Sequence, residues 1–119
     1  MHQWPFYPGS GGPGEQGETL LNLPLPAGTG DDAYLEAFAF AERAIAAFEP
    51  ELVLVSAGFD AHADDPLAQL ELSAGVFTEL ASRAAALAPR VAVVLEGGYN
   101  LATLPDLVEA ALEGFDQVG

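Results

Sequence analysis

No cysteine occurs anywhere in the chain. Disulfides and thiolate metal ligands are therefore excluded, and with them a disulfide-stapled secreted scaffold. Basic residues are almost as scarce: three Lys/Arg stand against 18 Asp/Glu, a formal net charge of −15. Nucleic acids and anionic lipid surfaces are bound through neutralisation by Lys and Arg. Neither is an expected partner, and the acidity needs no reading beyond solubility. No apolar run approaches the length of a membrane span. The opening MHQWPFYPGSGG lacks the basic and apolar regions of a signal peptide. A cytoplasmic location is the expectation.

What is present is enough for one folded domain. The 119 residues are half hydrophobic, which argues against disorder and for a core of modest size. Residues 1–19 are rich in Gly and Pro, with Trp4, Phe6 and Tyr7 set among them. They show neither a helical nor a strand period and read as a long loop, of the kind that is usually functional. Residues 20–119 are regular. Residues 20–25 (LLNLPL) form a short strand limited by Pro24 and Pro26. Asp31 or Asp32 then serves as N-cap for a helix over 33–48, whose inner stripe is Leu35, Phe38, Ala41, Ile45 and Phe48. Residues 52–56 read as a strand that is apolar until Ser56. Ser73 suits the N-cap of a helix over 74–88, with Val76, Leu80, Ala84 and Leu87 on its inner face and Phe77 beside them. VAVVL, residues 91–95, is a second apolar strand. A last helix begins near Leu104 and Pro105, with Leu107, Val108, Ala111, Leu112 and Phe115 as its stripe.

Strands alternating with helices give an α/β fold built on a parallel sheet with helices on both faces. Strands this apolar normally lie inside a wider sheet, covered on both sides. Three strands leave two open edges and much uncovered apolar surface. The chain is therefore expected to be part of a larger domain or to pair with another chain.

Ligands of open parallel sheets bind at the carboxyl ends of the strands. Two such ends are unusual here. One runs Ser56-Ala57-Gly58-Phe59-Asp60-Ala61-His62, and the other runs Glu96-Gly97-Gly98-Tyr99-Asn100. If the strands are neighbours, Asp60 and Tyr99 face one pocket. Taken singly, each residue also has a plain reading. Asp60 is a solvated loop acid or a cap. His62 is a hydrogen-bonding loop residue, and Asp64 and Asp65 before Pro66 are turn formers, with Asp65 bonding local amides. Gly97-Gly98 is a tight turn, and Tyr99 packs with its hydroxyl at the surface.

The combination is more specific. SAGFDAHADDPL, then a helix, an apolar strand and LEGGYN, resembles the zinc-dependent histone deacetylase family. The likeness is closest to its class II type and its bacterial amidohydrolase and acetoin-utilisation relatives. HQWPFYPGSG and LPAGTGDDAYLEAF stand in that family's chain order too. The resemblance covers essentially the whole chain. It implies a partial arginase/deacetylase-like three-layer fold and hydrolysis of an acylated lysine or related acyl amine. Asp60 falls on a zinc ligand and Tyr99 on the phenol that donates to the amide carbonyl under attack. Gly97 and Gly98 fall on the lining of a narrow acyl pocket, and Tyr7 on an aromatic of the acyl-lysine channel. His62 and Asp65 match positions taken as structural.

The resemblance also implies groups that this chain lacks. The family's site uses two more zinc ligands from an upstream Asp-x-His motif and a pair of adjacent histidines. The only histidines here are His2 and His62, which are not adjacent. The chain, residues 1–119, is expected to be the C-terminal portion of a deacetylase-type domain, with zinc a cofactor of the complete domain. In isolation it is expected to be inactive. An alternative is a non-catalytic interaction module that dimerises through its open sheet edges. An anion cradle at Gly97-Gly98 is opposed by Glu96 and the nearby aspartates.

Overall fold

The computed structural model describes residues 1–117. Seven elements follow one another: β1 His2–Gln3, β2 Pro24–Leu25, α1 Asp31–Phe48, β3 Val53–Ala57, α2 Ala74–Ala85, β4 Val91–Leu95 and α3 Leu104–Asp116. The fold is α/β with parallel strands. Strands β3 and β4 pair in parallel from Val53↔Val91 to Ala57↔Leu95. Glu96 N–H then donates to the Ala57 carbonyl and Phe59 N–H to the Gly97 carbonyl. This zipper carries the pairing past the strand ends and holds the two following loops side by side.

The first expected strand is corrected. Residues 20–25 shrink to Pro24–Leu25, and these do not join the main sheet. They pair in parallel with His2–Gln3, inside the stretch expected to be loop. Proline limits the strand as anticipated, but two residues carry no period by which the partner could be found.

Helix α1 begins two residues earlier than expected, and its N-cap is Gly30 rather than an aspartate. Asp31 reaches across the molecule instead, accepting from Ser73 N–H at 2.8 Å and from Ser73 Oγ at 2.6 Å. One carboxylate thus ties the start of α1 to the start of α2. Ser73 does occupy the N-cap position of α2, but its hydroxyl is spent on Asp31. A second tie lies further along. The Arg83 guanidinium pairs with Glu42, also meets Glu79, and lies 5.2 Å over the Phe38 ring. Helix α2 ends at Ala85, three residues before its expected limit of 88.

The core is built from the loop after β3 together with α2 and α3. Phe59, Ala61, Leu70, Leu72, Val76, Phe77, Ala81, Leu107 and Ala111 form one buried cluster. The Phe59 and Phe77 rings meet at 5.2 Å. Helices α2 and α3 approach so closely that a Cβ at Gly114 would stand 2.2 Å from the Thr78 carbonyl oxygen. A glycine within a helix costs stability relative to alanine, and here, in the last turn of α3, the close approach requires it.

Elsewhere the apolar pattern outruns its cover. Phe48 and Leu112, expected on inner stripes, are exposed. Leu54 on β3 is 70% exposed and Val94 on β4 57%, and Leu52, Val93 and Leu95 are exposed with them. The expected open, apolar sheet surface is present. No helix among the described residues is long and apolar enough to cross a membrane.

Candidate functional site

Both unusual loops leave the C-terminal ends of adjacent strands, and a cavity of about 1010 Å³ opens there. Asp60, Gly97 and Tyr99 border it, as do Tyr7, Ser56, Glu96 and Tyr34. The expected convergence of Asp60 and Tyr99 on one pocket is thus present, and Tyr7 arrives from the N-terminal segment. Gly98 does not border the cavity among the described residues. Its φ of +139° and a Cβ that would meet Leu104 Cδ1 at 2.9 Å and Phe59 Cβ at 3.2 Å give it a backbone and packing reason to be glycine.

Asp60 is held by packing on either side. Phe59 and Ala61 are buried, so the backbone at residue 60 is fixed while its half-buried side chain points off the core. Its carboxylate occupies a notch between two glycines. A Cβ at Gly97 would stand 2.7 Å from Oδ2, and a Cβ at Gly58 would stand 3.0 Å from Oδ1. Burial pushes the Asp60 carboxyl above its ordinary pKa. Its own backbone hydrogen bond opposes this and the charge of Asp65 adds to it. Desolvation disfavours the ionised form.

Tyr99 is held differently. Its side chain is 52% exposed, and its neighbours in sequence are not part of the core. Its N–H donates to Asp65 Oδ2 at 3.0 Å. Asn100 donates from Nδ2 to the Asp64 carbonyl at 2.9 Å. His62 and Asp65 shape the first loop, in line with their expected roles. His62 Nδ1 accepts from Asp64 N–H at 3.2 Å, and Asp65 Oδ1 accepts from Leu67 and Ala68 N–H.

Tyr34 also borders the cavity, a placement the sequence did not point to. It borders a smaller apolar cavity of about 210 Å³ as well, beside Phe38, Val55 and Phe77. Burial, and secondarily the Asp60 charge, pushes its phenol up to about 12. The available signal was the Tyr34–Phe38 pair at i, i+4 in the first turns of α1. Ser56 and Glu96 also meet at this floor, with Ser56 Oγ donating to Glu96 Oε1 at 3.2 Å.

Among the described residues no three His, Asp or Glu side chains are grouped so as to hold a metal. A catalytic zinc takes three protein ligands and an open position. Asp60 supplies one carboxylate, so these residues alone do not fit the metal.

The family model described as "Histone deacetylase domain" matches residues 1–115. A rice protein, "Histone deacetylase 10, chloroplastic" from Oryza sativa subsp. japonica, is 44% identical, over 96% of this chain and 28% of its own length. The crystal structure of the HDA15 HD domain aligns with TM-score 0.83 at 32% identity, over 91% of this chain and 33% of that one. That of an acetylpolyamine aminohydrolase from Burkholderia pseudomallei aligns with TM-score 0.77 at 32% identity, over 82% and 29%. The chain spans about a third of the length of these relatives.

Proposed function

Because the chain belongs to the histone deacetylase domain family, we propose that it supplies one wall and two chemical groups of a zinc-dependent amidohydrolase site. The substrate is an acylated lysine or a related small acylated amine, in the cytoplasm. The observation that carries this reading is that Asp60 and Tyr99, from separate strand ends, border one cavity with Tyr7 and Gly97.

In this reading Asp60 is the single metal donor the chain contributes, and the remaining donors come from polypeptide outside it. Tyr99 donates its O–H to the acyl carbonyl oxygen as negative charge develops there, and removal of one donor aimed at such a charge commonly costs about 10²- to 10³-fold in turnover. Gly97 keeps the wall beside Asp60 free of side chain. Tyr7, 90% exposed, flanks the entrance with its ring. Gly98 contributes through the backbone turn that presents Tyr99.

The isolated chain is expected to show no tight stoichiometric zinc and no amidohydrolase activity. Both together on this chain alone would sink the reading. In an assembly that supplies the remaining ligands, Tyr99→Phe is expected to lower turnover about 10²- to 10³-fold while zinc content holds. Asp60→Ala is expected to lose the zinc, and equal zinc loss in both variants would contradict the assigned roles.

A second reading rests on the exposed Leu54 and Val94: a non-catalytic module that forms a homo-oligomer through its sheet. A monodisperse, zinc-free homodimer in a solution size measurement would favour it.

A further inference from the structure

Tyr99 poses a problem of placement. A phenol that must meet one developing charge has to be held, since a misplacement of about 1 Å costs catalysis heavily. Packing does not hold it, because the side chain is 52% exposed and lies outside the core cluster. Leu101 and Ala102, just beyond, are exposed as well.

The polar contacts give the answer. Asp65 uses both carboxylate oxygens. Oδ1 accepts from Leu67 N–H at 2.9 Å and from Ala68 N–H at 3.1 Å, closing its own turn. Oδ2 leaves that turn and accepts from Tyr99 N–H at 3.0 Å, across 34 residues of sequence. The turn has a firm base. Asp65 N–H donates to the His62 carbonyl, and Ala63 N–H to the carbonyl of Leu72, which is 0% exposed. Leu72 N–H returns to the Ala61 carbonyl, next to Asp60.

We propose that Asp65 is a positioning residue. Its carboxylate bridges the two strand-end loops and sets Tyr99 against the cavity that Asp60 borders. The inference rests on the proposed oxyanion role of Tyr99. It adds that the placement of Tyr99 is governed from the other loop, so Asp60 and Tyr99 are registered to one base. A carboxylate is a stronger acceptor than a neutral group, which suits a bond that spans the two loops beside those from Asn100 Nδ2 to the Asp64 carbonyl and from Phe59 N–H to the Gly97 carbonyl.

The test separates the bridge from the turn. In Asp65→Asn the side-chain oxygen keeps the two turn amides, and an NH₂ faces Tyr99 N–H, donor against donor. Turning the amide round would give up two bonds for one. Single-amide hydrogen–deuterium exchange on the 119-residue chain should show Tyr99 N–H exchanging about tenfold faster or more, with Leu67 and Ala68 unchanged. With 3-fluorotyrosine incorporated, the Tyr99 fluorine resonance, assigned with Tyr99→Phe, should move toward the position of a freely turning ring. Those of Tyr7 and Tyr34 should hold. Asp65→Ala should release all three amides. An unchanged Tyr99 amide and fluorine signal in Asp65→Asn would overturn the inference and leave Asp65 a local turn former. Neither readout uses metal or acyl substrate. A failure of the deacetylase reading shows in the turnover of Tyr99→Phe, and a failure of the bridge shows here.

Discussion

The loop after β3 and the loop after β4 leave neighbouring strands at the same end of the sheet, yet they are held by different forces. The first is anchored by apolar burial: Phe59, Ala61, Leu70 and Leu72 are all core residues. The second puts little into the core and is held by hydrogen bonds to the first, through Asp65 to Tyr99 and through Asn100 to the Asp64 carbonyl. Burial is non-directional and strong in sum, so it makes a base. Hydrogen bonds are weak in net stability and strict in geometry, so they set an angle. The carboxylate of the pair stands on the packed loop and the phenol on the bonded one.

The difference is broken most severely from the packed side. Leu72→Ala removes a side chain that is 0% exposed. It should cost about 2–5 kcal/mol, as a cavity in a close-packed core does, measured by denaturant unfolding. Because the second loop hangs from the first, exchange at the Tyr99 amide should quicken as well. A Leu72→Ala protein that keeps its unfolding midpoint would show that the packed loop is not the base.

The bonded side should yield less. Asn100→Ala deletes the donor to the Asp64 carbonyl and the Oδ1 acceptor that takes Ala102 N–H at 3.0 Å. The expected loss is about 1 kcal/mol, because both groups lost are near solvent. The change should stay local: amides from 99 to 103 exchange faster and those around Leu72 do not. Spread of the effect into the core cluster would erase the contrast between the loops.

The same contrast explains what could be read from the sequence. Val91–Leu95 carries an unbroken apolar run and was legible as a strand to the residue. The convergence of Asp60 and Tyr99 on one cavity was legible because each follows such a strand at a short, countable distance. Packing inside helices was legible where period and cover agree, as for Val76, Ala84, Leu107 and Ala111. It failed at Phe48 and Leu112, whose spacing says inside while nothing among the described residues covers them. Long-range polar bonds leave no local pattern. Asp31 looked like a cap and instead binds Ser73, 42 residues away. Asp65 looked like a turn former and is one, yet its second oxygen serves Tyr99. Tyr34 lies beside the stripe that begins at Leu35, so the helical period does not single it out.

The mildest perturbation acts on the carboxylate itself. Burial raises the Asp60 pKa above its ordinary value, so the native chain binds the proton more tightly than the unfolded one. By linkage, the stability tied to this group is fully present below the unfolded pKa. It is lost as pH rises through the ordinary carboxylate range and the folded pKa above it. Above that window the ionised carboxylate sits in its notch beside Gly97 and Gly58 at a cost. Asp60→Asn keeps the shape and removes the charge. It should raise the melting temperature of the metal-free chain modestly at neutral pH and flatten the pH dependence of stability just above the ordinary carboxylate range. At low pH, where the native carboxyl is already neutral, the two proteins should melt together. An Asn variant that melts lower at neutral pH would mean that the charge is compensated inside the chain. In that event Asp60 would be a settled structural group, against the proposed role as a metal donor.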